Sequence, residues 1–395
     1  MKIQFVNHLG MSKTNKQLLG RVNGIIDDYA SQGYSLTLRQ LYYQLVTRNV
    51  VANNTKEYDK LSNLITKGRL LGIVDWDAIV DRTRKPNLPY YNLNPEDAVN
   101  AAHNHYRLDR QMGQEVCVEL WVEKDALAAV LQRKTHHYHI QLMVNRGYSS
   151  TTAMYDSYNR FLYAMQSGQK VTILYLGDHD PSGLDMIRDI RERIVRMLAN
   201  QSGGVESVME EKNVDTSELL NTYWHEIQAF EDKHEEEYGG TCGNYSREIL
   251  AYIFDSFEVR HIGLTTAQVK QYNPPPNPAK MSDPRANWYV EQFGKVSWEV
   301  DALEPKVLHE IIDTNVLSLI DINQFNGVLA QEGVDKAILK ALPEVRTKYS
   351  EAAEMVNKFN PDMKFNEKDE KDELDVLRRQ VEKFSKFYTD LKSKF

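Results

Sequence analysis

The chain has 395 residues, with 48 Lys/Arg against 56 Asp/Glu, a net charge of −8 and 42% hydrophobic residues. That length suits two or three domains with their own cores, and no apolar run approaches the roughly 20 residues of a membrane span. Cys117 and Cys242 are the only cysteines. A disulfide framework and a structural zinc site are therefore excluded, and with no leader-like apolar core at the N-terminus a cytoplasmic protein is expected.

The charge is unevenly spread. Residues 1–86 hold 13 Lys/Arg and 7 Asp/Glu, a balance of +6, whereas residues 204–240 hold 11 acidic and 2 basic residues. A basic front joined to an acidic body allows local phosphate binding. Helical periodicity covers about residues 15–31, 37–48 and 56–71, and GIVDWDAIVDRTR then reads as a short strand and wing. Three helices followed by a β element predict a winged helix-turn-helix. Its basic residues Lys67, Arg69, Arg82 and Arg84 are candidates for DNA phosphate contacts, with solvated surface charge as the alternative.

Within the second helix, Thr37 and Gln40 have capping-box spacing. Leu38, Leu41, Tyr42, Leu45 and Val46 form an apolar stripe, which leaves Tyr43 about 100° further round on the polar side. Arg39 lies four residues earlier on the same face. A guanidinium there could bind a phosphate and favour the phenolate, which suits a tyrosine nucleophile. A phosphate-contacting recognition helix is the alternative.

After a predicted connecting helix at 95–111, strands and helices alternate: VCVELWVE, KDALAAVLQR, HIQLMVNRG, SSTTAMYDSYNRFLYAM, VTILYLGD and SGLDMIRDIRERIVRML. This alternation predicts a parallel sheet covered on both faces, with ligands at the carboxyl ends of its strands. An acidic insertion at about 201–256 carries its own helices, and FEVRHIGL resumes the sheet. PPPNPAK at 274–280 reads as a stiff loop, and the chain is helical after about residue 304.

Glu123 ends the first strand, and Asp178 and Asp180 end the third. Positions two apart on a strand point the same way, so three carboxylates are expected on one rim. Hard oxygen ligands that leave room for water and phosphate suit magnesium, with manganese as a substitute. The alternatives are a Glu123 paired with Lys124 and aspartates capping the next helix. His179 should face away from the two aspartates and pack.

A strand-end Glu followed by Gly-Asp-His-Asp-Pro-Ser-Gly at 177–183 resembles the Toprim fold of topoisomerases and primases. With Thr-Leu-Arg-Gln-Leu-Tyr-Tyr at 37–43 ahead of it, residues 20–320 resemble the A subunit of topoisomerase VI and its meiotic double-strand-break relative, in a shortened form. The resemblance implies a winged-helix domain over 1–90, a linker helix over 91–112 and a Toprim domain over 113–310. A helical region at 311–395 would follow. It further implies Mg-dependent cleavage of double-stranded DNA through a 5′-phosphotyrosyl bond. Tyr43 would be the nucleophile, Arg39 its conserved partner, and Glu123, Asp178 and Asp180 the metal ligands. In that family the tyrosine works with the acids of another subunit, which implies a homodimer. No GxxxxGK[ST] loop is present, so ATP-driven strand passage would need a separate ATPase subunit. The rivals are a Toprim-class metal nuclease using water and a non-catalytic DNA-binding protein.

Overall fold

The computed structural model describes residues 2–7, 9–80, 91–93, 95–200, 202–238, 246–279, 283 and 285–340. The chain divides into two compact units, one formed by Met1–Tyr90 with Leu108–Gln331 and the other by Tyr91–Arg107 with Glu332–Phe395.

The first unit opens with α1 (Lys13–Ser31), α2 (Leu38–Thr47) and α3 (Thr55–Leu70). Each starts where a side-chain oxygen accepts an orphan backbone N–H: Ser12 from Asn15, Thr37 from Gln40 and Asn54 from Glu57. The Thr37–Gln40 capping box closes in both directions, as the spacing predicts. Leu19, Val22, Leu41, Leu45, Leu61 and Leu64 form the shared core, and Ala302 joins it from far along the chain.

The segment after α3 departs from expectation. Residues 72–80 form turns held by single bridges, Gln4 to Leu71 and Leu36 to Ile79, and not a strand. The expected continuation of the wing, with Arg82 and Arg84, lies outside the described residues. The connecting helix, α4 (Pro95–His105), belongs to the second unit and ends six residues before the predicted boundary.

The α/β part follows the predicted alternation. Strands β1 (Val116–Val122), β2 (Gln141–Val144), β3 (Lys170–Leu176) and β4 (Phe257–Gly263) are all parallel, in the order β2-β1-β3-β4. The helices between them are α5 (Ala128–Tyr138), α6 (Thr151–Gln166) and α7 (Pro181–Asn200), with α8 (Ser202–Glu211), α9 (Ser217–Thr222), α10 (Trp224–Tyr238) and α11 (Arg247–Ser256) in the acidic insertion. Alternate residues of the central strands feed two cores. Trp121, Ile173 and Tyr175 pack with α6, α7 and α11, whereas Leu120, Val122, Leu174 and Leu176 pack on the α5 side. Burial on both faces explains the near-continuous apolar runs of β1 and β3.

Beyond β4 come α12 (Thr266–Tyr272), β5 (Asn277–Pro278), α13 (Ala286–Phe293), β6 (Val296–Ser297), α14 (Pro305–Leu317) and α15 (Ile322–Lys340). The proline-rich stretch is not wholly loop, because Asn277 and Pro278 pair antiparallel with β6. Pro278 lies in a strand paired on this side only, where its missing N–H is tolerated. Among the described residues, no helix is long and apolar enough to cross a membrane.

Candidate functional site at the strand ends

The chain leaves β1 toward β2 on one side and returns to place β3 on the other, which opens a crevice beyond the carboxyl ends of β1 and β3. Glu123 and Asp178 sit at that point. Glu123 N–H bonds the Leu176 carbonyl at 3.1 Å, and Glu123 Oε2 accepts the Asp178 N–H at 3.0 Å. Asp180 Oδ1 accepts the Gly183 N–H at 2.7 Å, an orphan backbone donor in the first turn of α7, and the Ser182 hydroxyl at 3.0 Å. Gly183 allows the close approach, since a Cβ there would collide with the Asp178 carbonyl oxygen. His179 faces away, as its position between the aspartates predicts. Its ring nitrogens lie 2.8 Å from the Tyr289 hydroxyl and 3.0 Å from the Thr266 hydroxyl.

A second acidic pair, not identified in the sequence, meets the first. His179 and Trp298 form an antiparallel bridge, which lays Trp298-Glu299-Val300-Asp301 alongside the Asp178 segment. Asp178 Oδ1 accepts the Val300 N–H at 2.8 Å. Lys124 Nζ lies 2.9 Å from Asp178 Oδ2, 2.8 Å from Glu299 Oε2 and 2.9 Å from Asp301 Oδ1.

Helix α2 approaches this arm through the Val300–Ala302 turn, and Arg39 pairs with both Glu299 and Asp301. The Arg39 guanidinium donates toward the Tyr43 hydroxyl at 3.4 Å, with its carbon 5.7 Å from the ring centroid, and Glu299 lies close enough to act on the phenol's proton. Tyr43, Arg39, Asp178, Asp180 and Glu299 thus line one cleft of about 590 Å³, together with Asn53, Tyr58 and Trp298. One chain brings the tyrosine and the strand-end acids together, where the family resemblance had put them on different subunits.

Three expectations need correction. Tyr43 is not on a polar face. Every residue from Gln40 to Val46 is buried, because α2 is covered by the helical core and by the Val300–Ala302 turn. Nor does Arg39 favour the phenolate on balance. Burial and the nearby Glu299 and Asp301 carboxylates raise the phenol above its ordinary 10.0, and the guanidinium's opposing pull is smaller. Arg69 is also not a free phosphate contact. Its guanidinium bonds the Trp76 carbonyl at 2.9 Å and the Ile79 carbonyl, and stacks 5.4 Å from the Trp76 ring. Lys67 is exposed.

The electrostatics are set by burial against pairing. Burial raises the Asp178 carboxyl to about 8 although Lys124 pulls it down. Burial would also raise Glu299, but Lys124 and Arg39 outweigh it and hold the carboxyl at about 2. Lys124 is itself pushed above its ordinary 10.5, since its carboxylate partners together overcome the effect of burial.

Magnesium does not fit the donor set in this arrangement. Glu123 Oε2 is on a backbone amide, Asp180 caps α7, and Asp178 is shared between Val300 and Lys124. Among the described residues, no three acidic, His or Cys side chains are grouped to hold a metal ion. No protein-family profile, curated protein or solved structure matches the chain.

Proposed function

We propose that this protein cleaves double-stranded DNA by transesterification on Tyr43. The observation that carries the reading is the convergence of Tyr43, Arg39 and the strand-end acids in one cleft. The Tyr43 hydroxyl oxygen would form a bond to phosphorus as the bond from phosphorus to the 3′ oxygen breaks. The phenol proton would pass to the Glu299 carboxylate in the same cleft and on through water to the leaving 3′ oxygen. Arg39 lies where it could steady the phosphate. The 5′-phosphotyrosyl polarity, the winged-helix and Toprim character of the two parts and a homodimer that cuts both strands belong to the same reading, through the resemblance to topoisomerase VI A subunits. ATP-driven strand passage would take a separate ATPase subunit.

A second reading is favoured by one observation, the phenol held neutral by burial and by Glu299. In it Tyr43 only donates to a bound phosphate and water is the nucleophile. One experiment separates the two. Supercoiled plasmid is incubated with the protein in magnesium or in EDTA, then denatured with and without protease. Under the first reading, broken ends stay attached to protein until digestion, and Tyr43→Phe abolishes both breaks and adducts. Adduct-free breaks that survive Tyr43→Phe would exclude it, and no breaks under any condition would exclude both.

A further inference from the structure

Lys124 follows Glu123 at the end of β1, and its ammonium is surrounded by three carboxyl groups. An ammonium has three N–H donors and no acceptor. Here each has a partner at 2.8–2.9 Å, on Asp178, Glu299 and Asp301. The lysine side chain is 16% exposed and Asp301 is 1% exposed. Arg39 reaches Glu299 and Asp301 as well, so three carboxyl groups meet two cations supplied by the chain. Clustered carboxylates with low exposure are costly unless a positive charge sits among them. A divalent ion among the same oxygens would lie within a few ångströms of the ammonium and be repelled by it. The arm that carries Glu299 and Asp301 is therefore fastened to the ends of β1 and β3 by a charge that belongs to the chain.

We propose that Lys124 is the resident cation of this acidic cluster, a positioning residue that does the assembling work of a divalent metal ion. Through it Glu299 is held beside Arg39 in the cleft that Tyr43 lines, and the site keeps its shape without divalent metal. The inference does not rest on the cleavage reaction, and its test uses no nucleic acid.

The experiment is thermal unfolding of the full chain, metal-stripped with EDTA and then titrated with magnesium chloride, alongside calorimetric titration with the same salt. Wild type is expected to show no saturable heat and a midpoint shift below about 1 °C. Lys124→Met, which keeps the stem and removes the charge, should melt at least about 3 °C lower. Magnesium should then raise that variant's midpoint saturably, by the linkage between binding and folding. Lys124→Arg should restore most of the midpoint and abolish the magnesium response. A saturable magnesium shift in wild type would overturn the proposal. So would a Lys124→Met midpoint equal to wild type, or one that magnesium fails to raise. Should Lys124→Met not fold, the wild-type and Lys124→Arg titrations still decide, because each must be silent to magnesium.

Discussion

Tyr43 and Arg69 show how much a side chain's role depends on what covers it. The tyrosine keeps its proton because burial and Glu299 outweigh Arg39. Replacing Glu299 by Gln removes the carboxylate charge, so the Tyr43 phenol should titrate closer to 10. Fluorotyrosine NMR with a Tyr43→Phe control for assignment would read this, and an unchanged titration would mean that Glu299 does not set the proton. Arg69 and Lys67 look alike in sequence, yet Arg69 holds two carbonyls of the turn after α3 while Lys67 is exposed. Arg69→Ala should cost about 1–3 kcal/mol by leaving the half-buried Trp76 and buried Ile79 carbonyls short of a donor. Lys67→Ala should stay within about 0.5 kcal/mol. Urea unfolding of the two variants checks both, and equal losses would remove the distinction.

At the scale of elements, the parts of the fold controlled by local periodicity and capping were legible in the sequence. Thr37 and Gln40 mark the start of α2, and the apolar runs ending at Glu123 and Asp178 mark the central strands. The Thr37 cap also carries a prediction, since α2 supports both Arg39 and Tyr43. Thr37→Ala should cost about 1 kcal/mol, measured by urea unfolding, and a neutral result would mean that packing alone fixes the helix start. Gly183 is less forgiving, because its Cβ would meet backbone and not a movable side chain. Gly183→Ala should therefore cost at least about 1–3 kcal/mol and shift the amide resonance of Asp178. What could not be read was long-range. Helical spacing put Tyr43 on a polar face because nothing in residues 35–49 announces that the Val300–Ala302 turn covers it. Glu299 and Asp301 had no visible chemistry because their place depends on the His179–Trp298 bridge across more than a hundred residues. The run after α3 lacks a partner strand among the described residues, so its alternating pattern gives turns and isolated bridges.

For the molecule as a whole, histidines kept neutral in the fold should set the acid limit of stability. His261 on β4 has no hydrogen-bond partner for Nε2, and burial, with His179 nearby, lowers its pKa from 6.5 to about 4. Burial lowers His179 and His309 as well. A histidine with a depressed pKa is neutral in the fold, so its contribution is complete above 6.5. Below that pH the unfolded chain takes up a proton that the fold refuses, and stability falls until the folded pKa is reached. Glu299 adds a lower window, lost as pH falls from 4.5 through about 2. Asp178 acts in the opposite sense, since a raised carboxyl takes up its proton earlier in the fold and regains stability as pH falls from about 8 toward 3.8. The histidines therefore decide the slope only if their protons outnumber the one from Asp178. Unfolding free energy from urea titrations should fall between pH 6.5 and 4, with His261 supplying close to one proton, about 1.4 kcal/mol per pH unit. His261→Gln should flatten the curve by that amount over the same interval and leave the Glu299 window below pH 4.5 in place. An unchanged slope in the variant would mean that His261 is protonated in the fold, and the acid limit would then belong to His179 and His309.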